Sequence, residues 1–176
     1  SPTIVAADAD LAVAARRITW AKFMNAGQTC IAPDYLLVDR SVRDELVERI
    51  QGAIREFYGT DPKATGDLGR IVNERHHDRL TKLVSGSGGN VACGGDHDRS
   101  TRYLAPTIVL DPDVDSGLMS EEIFGPVLPV LAIDSIEDAI AFVNDRDKPL
   151  ALYVYTRSKE TADRVLARTS SGGACV

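Results

Sequence analysis

The residue with the clearest chemical capacity is Cys30, in the middle of a stretch, residues 25–35, that separates an amphipathic segment from an apolar one. Gly27 permits a backbone conformation that other residues avoid, and Pro33 biases Ala32 towards an extended backbone. We therefore expect a braced loop that displays the thiol at the edge of a sheet. Such a thiol is a candidate nucleophile, and the alternative is a small buried side chain, since free cysteines are often buried.

A second group of candidates lies in residues 121–127, Glu-Glu-Ile-Phe-Gly-Pro-Val. Glu122 is an acceptor-only carboxylate and Phe124 an aromatic ring, and from local sequence alone their default interpretations are a surface charge and a core ring. Neighbouring residues on an extended segment face opposite ways, so Glu121 is expected to be structural or solvated.

The remaining reactive residue types do not form a recognisable site. His76 and His77 are adjacent on a predicted helix, so their side chains point about 100° apart and do not form a zinc-binding pair. We expect them on a solvated face. The three cysteines are an odd number without close spacing, which excludes a disulfide framework and predicts no metal site and a cytoplasmic location.

The composition is that of an ordinary globular protein. Of the 176 residues, 44% are hydrophobic and 26% charged, which is enough apolar content for a sizeable core and argues against disorder. The net charge of −6 argues against nucleic acid as a partner. No apolar run approaches the length of about 20 residues that a membrane helix needs, so no membrane association is expected.

The elements that must position these residues alternate between helix and strand. Helical spacing of apolar residues predicts a helix from Asp8 or Asp10 towards Phe23, and others at 41–57, 73–84, 135–144 and 158–169. Apolar, β-branched runs predict strands at 3–7, 35–39, 90–93, 104–110, 127–133, 150–155 and from 172 onwards. This alternation predicts an α/β fold, with a three-layer, mainly parallel sheet and helices on both faces.

Three segments, in this order, resemble the aldehyde dehydrogenase family, especially its class-3-like and coniferyl-aldehyde-dehydrogenase-like members. They are Asn-Ala-Gly-Gln-Thr-Cys-Ile-Ala-Pro-Asp-Tyr at 25–35, Glu-Glu-Ile-Phe-Gly-Pro-Val at 121–127, and Ser-Gly-Gly-Ala-Cys-Val at 171–176. The resemblance implies that Cys30 is the catalytic nucleophile, which adds to an aldehyde and carries it through a thiohemiacetal and a thioester to a carboxylic acid. It further implies that Glu122 binds the ribose hydroxyls of NAD or NADP and that Phe124 contacts the nicotinamide. Cys30 and Glu122 should therefore converge on one cleft.

The resemblance also carries expectations about the whole enzyme. Residues 1–176 would be its thiol-bearing catalytic domain, and Ser1-Pro2 matches the end of the family segment that carries the general base. The dinucleotide-binding domain, the oxyanion asparagine and a C-terminal oligomerisation strand would lie outside this chain, so the chain alone should be inactive. The expected substrates are apolar aromatic or medium-chain aldehydes, and the expected assembly is a homo-oligomer.

Two other functions remain open at this point. A Cys-dependent acyl hydrolase or transferase would also proceed through a thioester, but it needs a histidine base beside the thiol. A non-catalytic α/β binding module would instead bury Cys30.

Overall fold

Seven strands form the central sheet in the computed structural model, which describes residues 1–176. These strands are β1 (Pro2–Val5), β2 (Tyr35–Asp39), β3 (Asn90–Cys93), β6 (Thr107–Leu110), β7 (Val127–Ile133), β8 (Ala151–Tyr155) and β9 (Gly173–Cys175). The short strands β4 (His97–Asp98) and β5 (Tyr103–Leu104) form a separate pair. The helices are α1 (Leu11–Phe23), α2 (Arg43–Tyr58), α3 (Glu74–Ser85), α4 (Gly117–Ser120), α5 (Ile136–Asn144) and α6 (Lys159–Arg168).

The strand order in the sheet is β3-β6-β7-β2-β1-β8-β9. Every neighbouring pair is parallel except β3 with β6, so β3 is the antiparallel edge strand. The central strands β1 and β2 pair from Pro2 opposite Tyr35 to Val5 opposite Val38. This arrangement confirms the predicted mainly parallel sheet. It also brings the residues that precede β1, β2 and β8 to the same edge.

Both faces of the sheet are buried, as β2 illustrates. Leu36 and Val38 pack into a core with α1 and α2, whereas Leu37 packs on the opposite face with α5 and α6. A third core joins α3 and α4 to β6 and β7. Because successive side chains of a strand point to opposite faces, a continuous apolar run fills both layers. None of the helices combines the length and apolar composition needed to cross a membrane.

Several local expectations are confirmed and others are wrong. Asp10, Asn73, Ser135 and Ser158 each accept a hydrogen bond from a backbone N–H in the first turn of the helix that follows. The strand predicted at 104–110 is interrupted at 105–106, so that only Thr107–Leu110 joins the large sheet. His77 is wrongly assigned to a solvated face, because it is 1% exposed and its Nε2 lies 3.0 Å from the carbonyl oxygen of Tyr103.

The loop after α1 lies directly against the segment before β7. Gly27 has a φ of +70°, and a Cβ added there would lie 2.2 Å from the carbonyl oxygen of Gly125. A Cβ on Gly125 would in turn lie 2.5 Å from the side chain of Leu80. Two backbone segments about a hundred residues apart therefore touch where neither has room for a side chain.

We expect Gly27→Ala to destabilise the fold well beyond the cost of its positive φ. The control is Gly59→Ala, because Gly59 has a matching φ of +75° but nothing within 4 Å of the added Cβ. Gly59 combines this φ with a ψ of −173°, a backbone region that is essentially restricted to glycine, so the control should cost roughly 1–3 kcal/mol through backbone strain alone. Gly27→Ala should cost roughly 1–3 kcal/mol more, because its methyl group displaces the Gly125 carbonyl. Urea unfolding of both variants measures the difference, and equal losses would contradict the close approach.

Candidate active site

Cys30 and Glu122 line the same cleft, which has a volume of about 620 Å³. Ser1, Asp34, Val114, Asp115 and residues 118–121 and 145–150 also line it. These segments precede β1, β2, β7 and β8, so the cleft lies at the amino-terminal edge of the parallel strands. Ligands of doubly wound α/β sheets usually bind at the carboxyl edge, and this cleft is on the other side. The expected convergence of Cys30 and Glu122 is confirmed.

Cys30 is exposed and occupies a tight turn. The N–H of Ala32 donates to the carbonyl oxygen of Thr29 at 3.0 Å, which closes the turn around Cys30 and Ile31. The hydroxyl of Tyr153, in β8, donates to the carbonyl oxygen of Ile31 at 2.7 Å. The N–H groups of Cys30 and Ile31 donate to no acceptor in the chain. The turn therefore presents a thiol together with unused backbone donors.

The side-chain amides of Asn25 and Gln28 secure the start of this loop. Asn25 Nδ2 donates to the Gln28 carbonyl oxygen and Gln28 Nε2 to the Asn25 carbonyl oxygen, each at 3.0 Å. Gln28 also donates to Arg70 O and accepts from the N–H of Val72 at 2.8 Å. These bonds support Asn25 and Ala26, which both have a φ of 53°, a conformation that is uncommon outside glycine.

Asp34 connects the thiol loop to the Glu122 segment. Its Oδ1 accepts a hydrogen bond from the N–H of Ile123 at 3.3 Å, and its Oδ2 accepts one from the nitrogen of Ser1 at 2.6 Å. Asp34 itself belongs to the wall of the cleft. One carboxylate thus fixes the positions of both segments that carry the candidate residues relative to β1.

Lys22 is a fully buried cation beneath this region. It lies in the last turn of α1, is 0% exposed, and its Nζ has no hydrogen-bond partner. Burial lowers the pKa of Lys22 to about 8, and the charge of Asp34 acts in the opposite direction. A buried ammonium without a hydrogen bond is costly, so the carboxylate of Asp34 is its principal compensation.

The segment Glu121–Phe124 is held by side chains from α3. Arg79 donates to the carbonyl oxygens of Ile123 at 2.5 Å and Glu122 at 3.2 Å, and its Nη1 forms an ion pair with Glu121 at 2.9 Å. The Nε2 of His76 lies 2.7 Å from the carbonyl oxygen of Phe124, whose φ is 51°. Glu121 therefore has the structural role expected for it. These contacts leave the Glu122 carboxylate without a partner in the chain.

Phe124 does not line the cleft of Cys30 and Glu122. It lines a second cavity of about 710 Å³ together with residues of α3, including His76, Arg79 and Lys82. The positive φ of Phe124 turns the chain between the two cavities. Glu122 and Phe124 thus flank the same turn from two sides, a division that the sequence does not indicate.

The other reactive side chains lie elsewhere. None of the three histidines lines the cleft. The ring of His77 contacts that of His97 edge to face, and the ring of His76 contacts Phe124 in the same way. Cys93 is half-buried in the edge strand β3, and burial raises the pKa of its thiol. The chain contains no group of three or more His, Cys, Asp or Glu side chains arranged to hold a metal ion.

Sequence reasoning missed four residues that shape this site: Lys22, Asp34, Arg79 and Tyr153. Their partners lie far away along the chain, at separations of up to 122 residues. One weak signal was present, because Lys22 falls on the apolar face of α1, where a lysine must either extend to solvent or be buried.

Comparisons with known proteins identify relatives along the whole chain. A model of the aldehyde dehydrogenase family matches residues 1–176. The chain is 51% identical to a dimeric NADP-preferring aldehyde dehydrogenase of Canis lupus familiaris, and the match covers 98% of this chain and 38% of that protein. It is 50% identical to aldehyde dehydrogenase family 3 member A2 of Rattus norvegicus, with 98% and 35% covered. The substrate-bound AldH of Staphylococcus aureus has a TM-score of 0.96 and 44% identity over 99% of this chain and 38% of that one. The chain therefore spans little more than a third of the length of these relatives.

The burial of Lys22 predicts a specific dependence of stability on pH. Its pKa is about 8 in the folded chain and near the ordinary 10.5 when unfolded, so the unfolded state binds more protons between these values. The free energy of unfolding should therefore rise with pH through this window, by on the order of 3 kcal/mol from this group. Lys22→Met should abolish that rise.

The control is Lys159→Met, because Lys159 is an exposed lysine whose side chain is 88% accessible. Urea unfolding at pH 7.5, 9 and 10.5 compares the two variants with the original chain, which cancels the titration of other groups. The assignment is wrong if Lys22→Met keeps the same pH dependence as Lys159→Met.

Proposed function

The chain belongs to the aldehyde dehydrogenase family, and from that premise we propose that it is the thiol-bearing catalytic part of an enzyme that oxidises aldehydes to carboxylic acids with NAD or NADP. The observation that carries this proposal is the shared cleft of Cys30 and Glu122 in a chain whose whole length matches the family. Cys30 and Glu122 lie far apart in the sequence, with strands β2 to β6 between them. A reaction between a substrate bound to the thiol and a cofactor held through its ribose requires that both residues reach the same cleft.

In this proposal the Sγ of Cys30 attacks the aldehyde carbon and forms a thiohemiacetal. A thiol suits this step because it is a strong nucleophile and its adduct can be oxidised to a thioester, which water then hydrolyses. The exposure of Cys30 supports access by a small substrate. Its own N–H has no acceptor in the chain, and it would donate to the oxygen that becomes negative as sulfur adds.

The chemistry of Glu122 fits the nicotinamide-side ribose. A carboxylate only accepts hydrogen bonds, and its two oxygens suit two neighbouring hydroxyls. The Glu122 carboxylate has no partner in the chain and lines the cleft beside Cys30, so it is available for this role. When bound, the nicotinamide supplies the hydride acceptor for the oxidation of the thiohemiacetal. Phe124 lines the second cavity, on the other side of the turn that His76 and Arg79 hold, so a contact of Phe124 with that ring would require the cofactor to reach past this turn.

The relatives are longer than this chain, which covers 38% and 35% of two of them. We propose that the length beyond this chain supplies the dinucleotide-binding domain, the general base for thioester hydrolysis, the oxyanion asparagine and the oligomerisation strand. The name of the dog relative describes that protein as dimeric and NADP-preferring, which supports NAD or NADP as cofactor and a homo-oligomer. The proposed substrates are apolar aromatic or medium-chain aldehydes, and the proposed location is cytoplasmic.

The two alternatives are less well supported. A Cys-dependent hydrolase needs a histidine base, and no histidine lines the cleft that contains Cys30. A non-catalytic module with a buried thiol conflicts with the exposure of Cys30. Labelling of the native chain with iodoacetamide, followed by mass spectrometry, tests the accessibility of Cys30 directly.

The central test is Cys30→Ala in the enzyme that contains this chain. Oxidation should fall by roughly 10³-fold or more, because the substitution removes the covalent path. The dissociation constant of NAD(P) should change by less than about twofold, since no cofactor contact is lost. Cys93→Ala is the control, because that thiol is half-buried in the edge strand and should be dispensable. Substantial turnover by Cys30→Ala would refute the proposal.

Glu122→Gln should affect cofactor positioning. The substitution keeps the shape of the side chain and one acceptor but loses the charge-assisted hydrogen bonds, so hydride transfer should slow by roughly tenfold. The control is Glu121→Gln, because Glu121 is engaged with Arg79 rather than assigned to the cofactor. Single-turnover measurements of NAD(P)H formation compare the two variants. A larger loss with Glu121→Gln than with Glu122→Gln would reverse the assignment.

A further inference from the structure

The peptide that follows Cys30 and Ile31 is held from two sides. Its N–H, from Ala32, donates to the Thr29 carbonyl oxygen at 3.0 Å within the turn. Its carbonyl oxygen, from Ile31, accepts from the Tyr153 hydroxyl at 2.7 Å. The first bond sets the shape of the turn, whereas the second connects the turn to the sheet. Apart from a long contact of 3.4 Å from Ser1 Oγ to the Cys30 carbonyl, Tyr153 makes the only side-chain hydrogen bond to residues 30–31.

Tyr153 also lies close to the thiol itself. Burial raises the pKa of the Tyr153 phenol, and the charges of Cys175 and Cys30 raise it further. Cys175 is the direct neighbour of Tyr153 across the β8–β9 pair, so both side chains stand on the same face of the sheet. The phenol therefore extends from the sheet towards the turn that displays Cys30.

We propose that Tyr153 is a positioning residue for Cys30: its hydroxyl fixes the turn on the rigid sheet and so determines where the thiol and the free Cys30 N–H point. This inference rests on the proposed function for its kinetic consequence. It differs from that function because Tyr153 acts on the loop backbone and is assigned no contact with substrate or cofactor.

Tyr153 can position the turn because β8, which carries Tyr153, is rigid, whereas the turn has little support of its own. β8 is a strand inside the sheet, paired with β1 on one side and β9 on the other, so Tyr153 is anchored by a rigid element. The turn 29–32 is closed by one internal backbone bond and is exposed, with Ile31 49% accessible. Without the phenol, water would take its place on the Ile31 carbonyl, but water fixes no orientation. Misplacement of a reacting atom by about 1 Å can cost up to 10²-fold in rate.

The test is Tyr153→Phe in the enzyme that contains this chain, with Tyr155→Phe as the matched control. Tyr155 lies two residues further along β8 on the same face, is half-buried like Tyr153, and its hydroxyl bonds to no residue of the chain. Both variants lose one hydroxyl from the same strand. Two properties are measured: steady-state oxidation of an aldehyde, and hydrogen–deuterium exchange in the native protein across residues 28–34.

For Tyr153→Phe we expect kcat to fall about tenfold while KM for NAD(P) changes by less than about twofold. Amide exchange across 28–34 should become at least about threefold faster, because the turn loses its attachment to the sheet. Tyr155→Phe should leave both properties at the original level.

When the original enzyme is active, the proposal is overturned if the two variants behave alike in either measurement, or if exchange accelerates without any fall in kcat. The exchange arm does not depend on catalysis. If the original enzyme oxidises no aldehyde, the proposed function is wrong, and exchange alone then decides whether Tyr153 positions the turn.

Discussion

The contact on which the site depends is the approach of Gly27 to the carbonyl oxygen of Gly125, which leaves no space for a Cβ at Gly27. It brings the loop that carries Cys30 directly against the segment that carries Glu122, although the two segments belong to different parts of the chain. A backbone contact of this kind cannot adjust by rotating a side chain, so it fixes the spacing between the two segments. Leu80 extends the contact into the third core, because its side chain fills the space above Gly125.

With that spacing fixed, hydrogen bonds determine how the Cys30 loop and the Glu122 segment are oriented. Asp34 joins the thiol loop to Ile123, and Arg79 holds the carbonyl oxygens of Glu122 and Ile123 from α3. Each of these bonds ends on backbone atoms, which leaves the Cys30 thiol and the Glu122 carboxylate free to face the cleft. The residues that hold the segments in place are thus different from those that carry the reactive groups. The Cys30 thiol and the Glu122 carboxylate can therefore remain without hydrogen-bond partners in a well-ordered site.

The sequence predicted those parts of the structure that depend on local patterns. Continuous apolar runs identified strands such as β2 and β7, helical spacing identified α2 and α3, and the ordered motifs pointed to Cys30 and Glu122 together. The features that it did not predict concern residues whose environment is set by distant segments. His77 is polar and is therefore expected in solvent, but it is buried, because the carbonyl oxygen of Tyr103 in β5 provides its ring with a hydrogen-bond acceptor. Phe124 is adjacent to Glu122 in the motif, yet a positive φ turns it into a separate cavity. Neither the burial of His77 nor the orientation of Phe124 produces a periodic pattern in the sequence.

The location of the cleft explains why a buried lysine is tolerated there. At the amino-terminal edge of the strands the chain arrives from the carboxyl ends of helices, where the helix dipole is negative. This edge therefore lacks the helix N-terminal N–H groups that bind anions at the opposite edge of many α/β sheets. The backbone donors available here are the free N–H groups of the Cys30 turn. Arg146 and Lys148 line the cleft itself. Lys22 adds a buried positive charge in the last turn of α1, where a cation interacts favourably with the helix end and with Asp34. Lys22 thereby balances a carboxylate and a helix terminus that would otherwise both direct negative charge towards the thiol loop.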